Sequence, residues 1–144
     1  MAAESTATTV WEGELASGRG TTSVGSGALP EVEVTWPART ERVAGTTSPE
    51  ELLAAAHTSC FCMALSHELT EGGNPPELLE ASATIAFVPG EGVKSSRFRV
   101  SGRVPGIDQA GFEEAATGAS ENCPISQALK GNIEISVEAT LEEA

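Results

Sequence analysis

Three cysteines carry most of the chemical potential of this chain: Cys60, Cys62 and Cys123. Cys123 precedes Pro124, and Pro at a first helical position with Gly131 past the end marks a short helix there. Partial positive charge at such a helix start favours thiolate. Cys60 lies among Ala, Phe, Met and Leu residues, a setting that raises a thiol pKa unless a cation is brought to it. Arg39 and Arg42, in a polar segment upstream, are the candidate cations, since a guanidinium stays charged at any relevant pH. By this charge argument alone, Cys123 is the easier thiolate.

The other candidates have plain structural readings. Cys62 is two residues from Cys60, points to another helix face and reads as core. His57 is one turn before Cys60, so a Cys–His pair is geometrically open. No third residue to orient the imidazole is evident, which favours a core or capping role. His67 stands near a solvated helix end. The Cys and His spacing fits no zinc pattern, and the Gly18–Gly27 segment lacks the Lys-Ser/Thr ending of a phosphate loop. Glu50 precedes Cys60 by roughly 15 Å of helix axis, too far for direct contact. It either reaches the thiol of another subunit or orients an arginine, or it merely complements the helix dipole.

These residues need a scaffold, and the stretch from Ser48 to Gly73 supplies its centre. Ser48 is an N-cap candidate, Glu51 completes a capping box, Pro49 opens the helix, and Gly72-Gly73 with Pro75-Pro76 end it. The helix should be roughly 33 Å long. From Leu52 to Leu65 the only polar side chains are His57, Thr58 and Ser59, so it should be enclosed on all sides. A second copy of the chain is expected to help cover it.

Around the helix, alternating segments predict strands at Val10–Leu15, Arg19–Val24, Glu31–Trp36, Ala81–Val88, Val93–Val104 and Asn132–Leu141. Residues 38–47 read as a polar loop and residues 1–8 as a loose tail. A further helix is expected over Asp108–Ser120, before the short one at Pro124. The order βββ-α-ββ-α-β gives an α+β class with mainly antiparallel sheet and a long buried central helix.

The chain has 144 residues, suggesting one domain over residues 1–144. Its formal charge of −13 repels nucleic-acid backbones and anionic lipids, so neither nucleic acid nor membrane is an expected partner. The first ten residues lack the basic start and apolar run of a secretion signal, and no apolar run approaches a membrane span. A cytoplasmic location is expected, and the odd cysteine count argues for reactive or simply buried thiols rather than a disulfide framework.

Pro49-Glu50-Glu51-Leu52 through Cys60-Phe61 and Met63-Ala64-Leu65 resembles the first signature of the OsmC/Ohr family, and Cys123-Pro124-Ile125-Ser126-Gln127-Ala128-Leu129-Lys130 resembles the second. Trp11-Glu12-Gly13 and Val104-Pro105-Gly106-Ile107-Asp108 look more like the osmotically inducible branch. The similarity covers residues 9–141. It implies an OsmC-like fold, an intertwined homodimer and a peroxiredoxin-type thiol peroxidase in oxidative or osmotic stress defence. By resemblance, Cys60 is the peroxidatic thiolate, Cys123 the resolving thiol, Arg39 the arginine that stabilises the thiolate, and Glu50 the carboxylate that holds Arg39. The segment between Arg39 and Pro49 is one residue longer than in familiar relatives, which keeps Arg42 in view. The implied substrates are organic hydroperoxides, and the implied reductant is a dithiol, with a dihydrolipoyl group as family precedent. No metal or bound cofactor is required. The rival readings are a thiol redox sensor and a small-molecule-binding protein on the same fold without turnover.

Overall fold

The computed structural model describes residues 1–143 and contains two compact units, the first from Met1 to Leu52 and the second from Leu53 onward.

The first unit is a three-stranded antiparallel sheet followed by a short helix. Strands β1 (Ala7–Glu12), β2 (Arg19–Val24) and β3 (Val32–Val34) pair in that order. β1 begins three residues earlier than the alternation suggested, because its register runs from Ala7 opposite Val24 to Glu12 opposite Arg19. The expected strand Glu31–Trp36 is cut short. Thr35 leaves the sheet and caps helix α1 (Trp36–Thr40), accepting the Ala38 N–H at 3.1 Å, with Pro37 in the first turn. Part of the expected polar loop is therefore helical. From Glu41 the chain returns, and the Thr47 N–H donates to the Glu33 carbonyl at 2.8 Å.

The long helix α2 (Pro49–Glu71) has 23 residues. Ser48 caps it as expected, accepting the Glu51 N–H at 3.1 Å, while the Glu51 carboxylate turns to the Thr47 hydroxyl. Gly73, at φ 88°, supplies the left-handed conformation that ends it.

In the second unit, β4 (Leu78–Val88) and β5 (Gly92–Arg103) form a long antiparallel hairpin with a bulge at Ala86/Phe87. Helices α3 (Gln109–Asn122) and α4 (Pro124–Leu129) follow, and β6 (Glu134–Leu141) returns beside β5 in parallel. This parallel pair is the exception in an otherwise antiparallel α+β fold, and the α3–α4 segment is the crossover it requires.

Strand alternation on β5 sets the core. Ser96, Phe98, Val100 and Gly102 face inward, and Arg97, Arg99 and Arg103 face out. Phe98 and Val100 pack with Phe61, Leu65 and Leu69 of α2 and with Phe112, Ala116 and Ala119 of α3. Gly102 is small for a reason: a Cβ there would lie 2.7 Å from the Phe112 ring. The helix α2 is not enclosed on every side by its own chain. His57, Phe61, Leu65 and Leu69 form one buried i, i+4 stripe, whereas Ala55, Ala56 and Ser59 are exposed and Met63 is 74% exposed.

Candidate active site

Cys60 sits midway along α2, half-buried. Cys123 is wholly buried and serves as a joint: its N–H closes α3 on the Ala119 carbonyl at 3.0 Å, and its carbonyl opens α4 by accepting from Gln127 at 2.9 Å. Pro124 can follow because the first helical position needs no N–H. This joint sets the Cys123 thiol in hydrogen-bonding contact with Cys60, although 63 positions of chain separate them.

The surroundings of Cys60 pull its acidity both ways. Burial pushes the thiol pKa up, the Cys123 thiol pushes it further up, and a hydrogen bond from the Ile125 backbone N–H pulls it down. The net direction is upward, as the sequence argument expected for an apolar setting. Cys123 itself is closed to solvent.

Arg39 projects from α1 and Glu50 from the first turn of α2, and the two meet in a fork. Arg39 Nε donates to Glu50 Oε1 at 2.9 Å, and Nη2 donates to Oε2 at 2.8 Å. The Glu50 side chain is 9% exposed and that of Arg39 30%. The Arg39 guanidinium also lies 5.8 Å from the centre of the Trp36 ring. Arg42, the alternative cation, is exposed and sits at φ 65° in the turn after α1. Glu50 and Arg39 are thus bonded to each other within the chain.

His57 has the orienting partners that the sequence did not reveal. Its Nδ1 lies 2.8 Å from Ser96 Oγ and its Nε2 lies 2.8 Å from Ser126 Oγ, with the Phe98 ring 4.3 Å away. Burial lowers its pKa, so the ring is neutral, with one nitrogen donating and the other accepting. Cys62 faces elsewhere, as its spacing predicted. It is half-buried and lines an open groove of about 570 Å³ with Met63, Ser66 and His67, and burial pushes its thiol pKa up.

The pattern of the OsmC-like protein family matches residues 42–138. The chain belongs to the OsmC family. It is 37% identical over 126 residues to the peroxiredoxin OsmC of Escherichia coli K12, covering 85% of this chain and 87% of the relative. It is 31% identical over 94 residues to an organic hydroperoxide resistance protein of Xanthomonas axonopodis pv. citri, covering 63% and 65%. The fold is that of a solved organic hydroperoxide resistance protein from Elizabethkingia anophelis, with a TM-score of 0.73, 23% identity and 99% of both chains covered. A solved OsmC protein from Legionella pneumophila superposes with a TM-score of 0.71 at 23% identity, covering 96% of this chain and 97% of the other. The OsmC relatives support a peroxidase-type function on this fold. Among the described residues, no helix is long and apolar enough to cross a membrane.

Proposed function

We propose that the chain is a cysteine-based peroxidase that reduces organic hydroperoxides to alcohols. The observation that carries this reading is the contact between the Cys60 and Cys123 thiols. Cys60 is assigned the attack, following the family resemblance, and it is the partly exposed member of the pair, whereas Cys123 is 0% exposed.

The Cys60 thiolate attacks the distal oxygen of ROOH, the O–O bond breaks, and RO⁻ leaves, taking up the proton the thiol gave up on ionising to depart as ROH. Cys60 becomes a sulfenic acid. The Cys123 sulfur then displaces hydroxide, which departs as water, and a Cys60–Cys123 disulfide forms. A dithiol, with a dihydrolipoyl group as the leading candidate, restores both thiols by exchange. An apolar pocket around Cys60 would favour alkyl hydroperoxides over hydrogen peroxide, since alkyl carbon gains from burial.

The family resemblance gives Arg39, which Glu50 holds, the role of stabilising the peroxidatic thiolate and the peroxide oxygen. A homodimer completes the reading: the exposed Ala55, Ala56, Ser59 and Met63 side of α2 is an apolar surface suited to a second copy of the chain. The decisive experiment is peroxide consumption with dihydrolipoamide, comparing cumene hydroperoxide with hydrogen peroxide. Sustained turnover, faster with the organic substrate, is expected. A single stoichiometric oxidation with no turnover would replace the enzyme with a redox sensor, and no thiol loss at all would leave a binding protein.

A further inference from the structure

The contact between the two thiols has a twin one turn away. His57 is three residues before Cys60 on α2, and Ser126 is three residues after Cys123 on α4. Cys60 meets Cys123, and His57 Nε2 meets Ser126 Oγ at 2.8 Å. The two helices are therefore joined by two rungs running in opposite chain directions. Between the rungs, the Ile125 N–H reaches the Cys60 sulfur. The imidazole is pinned from behind by Ser96 Oγ of β5 at 2.8 Å and by the Phe98 ring, which itself stacks on Phe61 at 4.3 Å. His57 and Ser96 are 0% exposed and Ser126 2%, so water does not compete for these bonds.

We propose that His57 is a positioning residue: through Ser126 it fixes the start of α4, so that Cys123 and the Ile125 N–H stay registered on Cys60. This rests on reading the two cysteines as a redox pair. A disulfide accepts only a narrow range of sulfur and Cβ positions, so the effective concentration of Cys123 at Cys60 depends on how tightly α4 is held. Either tautomer of a neutral imidazole satisfies both serines, because each hydroxyl can donate or accept.

The test is the equilibrium between the Cys60–Cys123 disulfide and glutathione, measured in a Cys62→Ser background by trapping free thiols across redox buffers. No peroxide is used. Ser126→Ala should weaken the disulfide by about tenfold, what one buried hydrogen bond commonly supplies. His57→Phe, which keeps a ring in the site, should weaken it at least as much, and the double variant no further than His57→Phe alone. Leu69→Ala, a core truncation at the far end of α2, should lower the melting temperature and leave the equilibrium within roughly twofold of the parent. An equilibrium unchanged in Ser126→Ala, or one that falls as far in Leu69→Ala, overturns the proposal. A parent protein that forms the disulfide but turns over no peroxide defeats the proposed function and leaves the clamp standing.

Discussion

Arg39 and Glu50 bond through two donors and two acceptors, at 2.9 and 2.8 Å, with the carboxylate nearly closed to solvent. Planar guanidinium and planar carboxylate match in this fork, which an ammonium cannot reproduce. Arg39→Ala leaves a buried carboxylate without its cation and should lower stability by about 2 kcal/mol, measured by urea unfolding. Arg39→Lys should recover part of the stability but lower kcat/KM for cumene hydroperoxide by at least about tenfold. Full activity in Arg39→Lys would remove this arginine from the chemistry.

The two cysteines should fail in different ways. Cys60→Ser should abolish even the first turnover. Cys123→Ser should still consume one equivalent of peroxide and accumulate a sulfenic acid that dimedone traps on Cys60. The reverse pattern, read by mass spectrometry, would exchange the assigned roles.

The Cys123 thiol also bears on the acidity of its partner. It pushes the Cys60 pKa up, so Cys123→Ala should shift the midpoint of the alkylation rate of Cys60 to lower pH. The profile is best measured with iodoacetamide in a Cys62→Ser background. A midpoint that moves upward would mean that loss of the α4 contact outweighs loss of the neighbouring thiol.

Acid should destabilise the protein through His57. Burial holds its pKa below the ordinary 6.5, so the unfolded chain takes up a proton that the folded chain refuses. The unfolded state then binds more protons, and stability falls as pH drops through 6.5 towards the folded pKa. The slope contributed by this one group approaches about 1.4 kcal/mol per pH unit. Its hydrogen-bond partners, Ser96 and Ser126, are neutral and do not offset the charge. Urea unfolding between about pH 7 and pH 5 should show a steeper loss in the wild type than in His57→Phe. Parallel curves would refute the assignment.

Local signals were the most legible. Ser48, Pro49 and Gly73 mark the ends of α2 because caps act on their nearest neighbours. The two cysteine signatures identified the family because both segments carry several residues in fixed spacing. The helix α1 was hidden because Val32, Val34 and Trp36 alternate like a strand, although Thr35 followed closely by Pro37 is a capping signal. The parallel pairing of β5 with β6 was not legible, since alternation is the same in either direction. Ser96 and Ser126 could not be matched to His57 from sequence: 39 and 69 residues separate them from it, and a serine hydroxyl carries no pattern of its own.

The parallel arrangement of β5 and β6 bears on how Cys123 can move. Its segment is anchored at both ends to one sheet, so the sulfur cannot swing out on a free arm. Any travel between reduced and oxidised forms must be taken up as slack inside that strap. The turns at Gly106, with φ 85°, and Gly131, with φ 86°, are where the backbone has that freedom.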